Sequence, residues 1–297
     1  MHTRRSLLVA CLPVATFVGC GGIDAPVAPS NPTAAALTSV LLTPTVATVG
    51  RISATVVEPK ALTVFAASSL TSVFDQMWAA FKAQAGNEGI TITANYGASS
   101  QLRTQLLEGA TADIFASADL AQMEQAAKVG LLNGDAKTFA RNRLVVIVPK
   151  GSPAKVATLA DLAKPGVKFV TTPANVPIGA YTRTALKKLA ADPSLGERYD
   201  ARVLANIVSE EANVRQVVVK VQLGEADAGI CYATDVTMVP AGDVTAIDIP
   251  EAANVVAEYP IAVLKSARAP ATARRLIAFI TSPIGRTILE AAKFKVA

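Results

Sequence analysis

The sequence predicts an α/β protein of two lobes with a cleft between them. Three observations lead there. From Leu62 onward, short apolar runs alternate with amphipathic stretches at helical spacing; the alternation occurs in two successive series; and a longer apolar strand, "NRLVVIVPKG" from Asn142 to Gly151, stands between them. Strand–helix alternation of this kind builds layered folds around mostly parallel sheets. With 297 residues, 51% of them hydrophobic, the chain has apolar material for a core in each of two modest domains.

The first series opens with "LTVFAA" (62–67), an apolar run suited to a buried parallel strand. Leu70, Val73, Phe74, Met77, Trp78 and Phe81 then recur at helical spacing, predicting an amphipathic helix that ends near Gly86. "ITITANY" alternates as a strand, Leu102, Leu106 and Leu107 mark the next helix, "ADIFAS" is a third strand, and "LAQMEQAAKVGLL" is its helix. After the Asn142–Gly151 strand the pattern repeats. "KFVTT" precedes a helix over 179–190, "ARVLANIV" reads as a strand before a helix over 213–223, and "AGICYAT" is a further strand. "YPIAVL" leads to two terminal helices, "ATARRLIAFITS" and "IGRTILEAAKF".

The N-terminus stands apart from this globule. "MHTRRSLLVACLPVATFVGCGG" has a basic start, an apolar run from Leu7 to Val18 and then Gly19-Cys20, which reads as an export signal over 1–19. The run is shorter than the roughly 20 apolar residues of a membrane span. "FVGC" resembles the lipobox of bacterial lipoproteins, with Phe17 where Leu is usual, and marks Cys20 for lipidation; ordinary cleavage without a lipid is the alternative. "TRRSLL" resembles a twin-arginine signal, so the export route stays open. Residues 20–60, rich in Ala, Pro and Thr, read as a flexible tether, within which 40–57 is β-branched enough for an extra strand or a surface-packed segment.

Charge and cysteines exclude several classes. The net charge of +5 becomes +3 once Arg4 and Arg5 leave with the signal, without basic blocks or an aromatic cluster, so neither composition nor pI indicates nucleic acid. A chain starting at Cys20 keeps only Cys20 and Cys231, which leaves no disulfide framework and makes Cys231, in "AGICY", a buried small hydrophobe.

Two serine pairs, in "FAASSL" and "YGASSQL", sit where a strand gives way to a helix. A serine nucleophile normally needs an adjacent base, and the one histidine is His2, inside the signal. Histidine metal sites are excluded with it, and no SxxK follows either pair. Read singly, Ser69 and Ser99 or Ser100 are helix N-caps. Two further helix starts, "NVPIGAY" and "EEANVRQ", have similar small-residue loops. Helix starts expose unpaired N–H groups and a partial positive charge, which makes an anion site without Lys or Arg. In open α/β sheets such loops lie at the carboxyl ends of the strands, where ligands bind.

"LTVFAASSLT", "YGASSQL", "ADIFASAD", "NRLVVIVP", "NVPIGAY", "NVRQVVVKVQLGEADAGICYATD" and "YPIAVL" resemble, in order, the periplasmic molybdate-binding proteins of bacterial ABC transporters, from Leu62 to the chain end. The resemblance implies a type II periplasmic-binding-protein fold. One lobe would comprise 61–143 and 252–297, the other 144–251, with a tetrahedral oxyanion in the cleft. It also implies the ligand positions. Ser69 and Ser99 would give hydroxyl and backbone N–H donors, Ile178 (where the family often has Ala) and Val214 backbone N–H groups, and Tyr232 its phenol. Ser68 and Ser100 stand beside them as caps or supporting residues.

Such a site holds donors only, which suits an oxyanion fully deprotonated near neutral pH. Molybdate, and tungstate with it, is the expected ligand, held through its oxygens with no protein–metal bond; sulfate is the alternative. A secreted hydrolase lacks its base, and an effector-sensing regulator would not carry an export signal. The resemblance further implies lobe closure on the ligand and delivery to a membrane permease with a cytoplasmic ATPase. No enzyme activity, cofactor or nucleic-acid partner is expected, the membrane is reached only through Cys20, and nothing in the sequence demands more than a monomer in the periplasm or on the outer face of the membrane.

Overall fold

A computed structural model describes residues 59–152 and 154–297. The export signal, Cys20, almost all of the tether and the 40–57 segment lie outside the described residues. Two sheets organise the rest. The first contains β1 (Ala61–Ala67), β2 (Thr91–Gly97), β3 (Ile114–Ala116), β4 (Lys137–Asn142) and, from the chain end, β10 (Ala257–Val263) and β11 (Lys295–Val296), in the order β11-β4-β10-β3-β1-β2. The second contains β5 (Leu144–Pro149), β6 (Phe169–Thr171), β7 (Ile207–Glu210), β8 (Ala228–Tyr232) and β9 (Val244–Asp248), in the order β7-β6-β8-β5-β9.

The expected two-lobed α/β architecture is present, and both sheets are mixed. Parallel pairs β1–β2, β1–β3, β6–β7 and β6–β8 come from the strand–helix–strand units. Antiparallel pairs come from strands that return from the other series, β10 against β3 and β4, and β5 against β8 and β9. Lone-strand patterns in the sequence carry no direction, so these pairings were hidden in it.

Helices α1 (Thr71–Lys82), α2 (Ser99–Leu107) and α3 (Leu120–Lys128) cover the first sheet; α4 (Pro177–Leu189), α5 (Tyr199–Ala205) and α6 (Val214–Gln222) belong to the second; α7 (Pro270–Ile280) and α8 (Pro283–Ala291) close the chain. The spacing read from the sequence sets the buried faces. α1 buries Val73, Phe74, Met77, Trp78 and Phe81, and Phe74 stacks on Trp78 with ring centroids 4.6 Å apart. β1, fully interior, buries Val64 and Ala66 completely, whereas edge strand β2 alternates, as "ITITANY" implied.

"ARVLANIV" is not one strand. Its first half belongs to α5 and its second to β7, with Asn206 between them. Tyr199 and Val203, four residues apart, bury one helical face, and the Tyr199 hydroxyl donates to the Leu159 carbonyl at 2.7 Å. Asn206 then breaks the helix by donating from its amide to the carbonyls of Leu162 and Lys164. Strands β4, β9 and β11 went unread because "KTFARN" and "VTAID" are short and polar and β11 has two residues.

The sheets are joined at two crossings, Arg143 between β4 and β5 and residues 249–256 between β9 and β10. Asn254 clamps them together. Its amide oxygen accepts from the Leu144 N–H at 2.9 Å, and its nitrogen donates to the carbonyls of Leu144 (2.9 Å) and Ile249 (3.2 Å). Two adjacent crossing strands pinned by one side chain form a narrow hinge, and the strand ends and helix starts face each other across it.

Candidate oxyanion site

Ser69, Ser99, Ile178, Val214 and Tyr232, widely separated in sequence, line one cavity between the lobes. Its atom-free space is about 210 Å³, against about 1090 Å³ for the groove at the cleft mouth beside it. Cavities for drug-sized ligands are roughly 300–1,000 Å³, so this one suits a compact ion. None of its lining residues is charged. The lobes are closed over it: the Gln122 side-chain amide donates to the Asn175 carbonyl at 3.4 Å, and the Tyr181 hydroxyl donates to the Ala118 carbonyl at 3.3 Å.

The serines are not N-caps. Ala98 occupies the N-cap of α2 and Ala67 that of the 3₁₀ turn at 68–70, and neither position has a side-chain cap. Ser99 is therefore the first helical residue, and Ser69 lies inside the turn that leads into α1. Alanine at a position that favours Ser, Thr, Asp or Asn leaves the first-turn N–H groups without a protein acceptor. Ser68 and Ser100 do not cap either; each accepts through its backbone carbonyl from a threonine hydroxyl, Thr71 and Thr104 respectively.

In the second lobe the caps select which N–H is left. α4 has Val176 at its N-cap and Pro177, which has no N–H, at its first position, so Ile178 supplies the first available donor. Gly179 lets this helix start come close to the preceding loop, because a Cβ there would lie 2.2 Å from the Pro173 carbonyl oxygen and 2.5 Å from that of Thr172. α6 is capped by Asn213, whose side chain accepts from the N–H groups of Arg215 (3.0 Å) and Gln216 (3.3 Å). The Val214 N–H, one position earlier, is the one that Asn213 leaves uncapped.

The hydroxyls are arranged as donors. The Ala118 N–H donates to Ser99 Oγ at 3.0 Å, so the serine's own hydrogen is free to point elsewhere. Ser69 Oγ lies 3.2 Å from Tyr259 Oη. Tyr232 Oη is fully buried and has no hydrogen-bond partner. Burial is the main cause that pushes the Tyr232 phenol far above its ordinary pKa, with the neighbouring Tyr259 and Tyr181 phenols next, so it stays a neutral donor. Its ring is held edge-on by Tyr259 at 5.7 Å and Tyr181 at 6.5 Å. Behind it, Asp235 accepts from the Tyr232 N–H at 3.1 Å; burial raises this carboxyl to about 7, against the opposing effects of that hydrogen bond and of Arg215.

A profile of bacterial extracellular solute-binding proteins matches residues 62–295. The chain belongs to this family. Among solute-binding proteins it is 39% identical over 287 residues, 97% of this chain and 95% of the relative, to the molybdate-binding protein ModA of Mycobacterium tuberculosis H37Rv. It is 32% identical to the molybdate-binding protein ModA of Escherichia coli K12 over 211 residues, 69% of this chain and 77% of that one. Solved structures share the fold. The periplasmic molybdate-binding protein of Azotobacter vinelandii superposes with a TM-score of 0.67 at 21% identity, covering 80% of this chain and 99% of that one. The sulfate-binding protein SubI of M. tuberculosis gives 0.70 at 16%, covering 79% and 86%. As in an extracellular solute-binding protein, no helix among the described residues is long and apolar enough to cross a membrane.

Several residues of the site were not singled out from the sequence. Asn213 carried a legible signal, a cap residue just before an apolar helical run. Ala118 acts through its backbone, which side-chain patterns do not report. Tyr259 and Asn142 sit in strands whose polar tips meet only when β4 and β10 pair.

Proposed function

We propose that this solute-binding protein captures molybdate, and tungstate with it, in the cavity between its lobes and delivers it to an ABC permease driven by a cytoplasmic ATPase. The observation that carries the reading is the Tyr232 hydroxyl, fully buried, without a partner and on the wall of a small uncharged cavity. A buried unpaired donor costs roughly 1–3 kcal/mol, and a ligand oxygen in the cavity removes that cost. The relatives named for molybdate support the choice of oxyanion.

The donors of the reading are the Ser69 and Ser99 hydroxyls and N–H groups, the Ile178 and Val214 N–H groups and the Tyr232 phenol. Each hydrogen bond to a charged oxygen contributes roughly 1.5–3 kcal/mol, so several together offset the desolvation of a dianion. A protonated oxyanion such as hydrogen phosphate brings a donor that finds no acceptor there. Because donors come from both lobes, the bound ion favours the closed arrangement by bridging them. In this reading the lobes divide as 61–143 with 252–297 and 144–251, an assignment supported by the sheet memberships. The export signal places the monomer outside the cytoplasm, and a lipid on Cys20 holds it to the membrane through the 20–60 tether.

A thermal-shift panel of molybdate, tungstate, sulfate, phosphate and an amino acid tests this, since a ligand of the native state adds RT ln(1 + [L]/Kd) to its stability. Molybdate and tungstate should raise the melting temperature most. No shift with either would reject the reading, and a larger shift with sulfate would reassign the ligand.

A further inference from the structure

A hydroxyl can donate or accept, and the cavity's selectivity depends on which Ser69 does. The answer is fixed from behind the site. The Arg143 backbone N–H donates to Asn142 Oδ1 at 3.0 Å, and a backbone N–H can only donate, so the Asn142 amide orientation is set. Its Nδ2 then faces the other way, donating to Thr234 Oγ1 at 2.8 Å and hydrogen-bonding the phenol oxygen of Tyr259. The Tyr259 oxygen therefore already accepts. Among the described residues its other partner is Ser69 Oγ at 3.2 Å, which is the acceptor left for the phenol hydrogen. With Ser69 Oγ accepting from Tyr259, the serine hydrogen is released toward the cavity that Ser69 lines.

We infer that Asn142 and Tyr259 are positioning residues, a relay that locks the Ser69 hydroxyl as a donor and so sets the preference of the cavity for fully deprotonated over protonated oxyanions. The inference rests on the oxyanion reading and adds to it two residues that do not touch the ligand. Tyr259 is fully buried, and its ring is fixed edge-on by Phe294 at 5.5 Å and Tyr232 at 5.7 Å, so the phenol oxygen has little freedom to choose another partner. Without the relay, the Ser69 hydroxyl can turn and accept a proton-bearing oxygen, as Ser99, held by the Ala118 N–H, still cannot.

The test is calorimetric titration of the exported chain with molybdate and, separately, inorganic phosphate at pH 8, in wild type, Tyr259→Phe and Asn142→Ala. The wild type should prefer molybdate strongly. Tyr259→Phe should narrow the molybdate-to-phosphate affinity ratio by about tenfold, the worth of one charged hydrogen bond, and Asn142→Ala should move it the same way. In a Ser69→Ala background, Tyr259→Phe should leave the ratio where Ser69→Ala put it, a non-additivity that general loosening of the core would not produce. If Tyr259→Phe does not fold, the Asn142→Ala ratio decides alone. An unchanged ratio in a folded variant overturns the relay while leaving the oxyanion reading intact. A wild type that binds no molybdate overturns that reading itself.

Discussion

Replacing Tyr232 by Phe removes one oxygen from the cavity wall and keeps the ring, with its edge contacts to Tyr259 and Tyr181. In the ligand-free protein that oxygen is buried and has no partner. Deleting it removes an unsatisfied donor and lowers no protein–protein hydrogen bond, so the free protein should be unchanged or more stable by up to roughly 1–3 kcal/mol. For a protein of this size each kcal/mol is worth about 2–4 °C in melting temperature. With ligand present the sign reverses. One hydrogen bond to a charged oxygen is lost, roughly 1.5–3 kcal/mol, which raises the molybdate Kd by about ten- to a hundredfold. Differential scanning calorimetry of the free protein and isothermal titration with molybdate measure the two effects on one preparation. A variant that melts lower when free, or binds molybdate as tightly as wild type, would refute the assignment of Tyr232 as a ligand donor. Ser99→Ala is a less clean probe, because Ser99 Oγ also accepts from the buried Ala118 N–H and its loss costs stability as well.

Gly179→Ala should cost 1–3 kcal/mol or more in thermal stability and weaken molybdate binding measured by titration, since its Cβ would meet the Pro173 carbonyl oxygen at 2.2 Å and displace the helix start that carries Ile178. Asn213→Ala removes the cap on the Arg215 and Gln216 N–H groups; it should cost about 1 kcal/mol by chemical denaturation and raise the molybdate Kd as the Val214 turn loosens. Asp235 gives a pH dependence. Its carboxyl is raised to about 7 in the folded protein, chiefly by burial, and returns near 4 on unfolding, so the native state holds the extra proton between those values. Stability from this group is present in full below about 4 and falls, by at most about 1.4 kcal/mol per pH unit, as pH rises toward 7. Asp235→Asn should flatten that slope in urea denaturation curves recorded from pH 4 to 8, and an unaltered slope would remove Asp235 as its source.

Much of the fold was legible because two periodicities dominate the sequence. The α1 face from Val73 to Phe81 and the alternation of "ITITANY" report burial directly, one residue at a time. What failed was local ambiguity and long-range pairing. "ARVLANIV" suits both periods, and the choice of α5 plus β7 was made by contacts of Tyr199 and Asn206 with residues some forty positions away. Strand direction depended on β10 and β5 joining sheets built by the opposite series, which no window of sequence contains.

The cavity shows the same division. Five residues that the family resemblance points to, Ser69, Ser99, Ile178, Val214 and Tyr232, meet in one place. The single-residue reading of the serines as caps did not hold, because Ala67 and Ala98 take the cap positions. A missing cap is a sequence signal in its own right: "AASS" and "GASS" place alanine where a stable helix start prefers an oxygen, and so leave N–H groups for a ligand. The residues that orient the hydroxyls, Ala118, Tyr259 and Asn142, were illegible because their roles exist only after β3, β4 and β10 are side by side.

The most direct measurement of the central claim is isothermal titration of the exported chain with molybdate in the presence of excess phosphate. One molybdate should bind per chain, with an affinity that phosphate at a hundredfold excess does not alter. No binding heat, or displacement of molybdate by phosphate, would contradict a cavity built only of fixed donors for a deprotonated oxyanion.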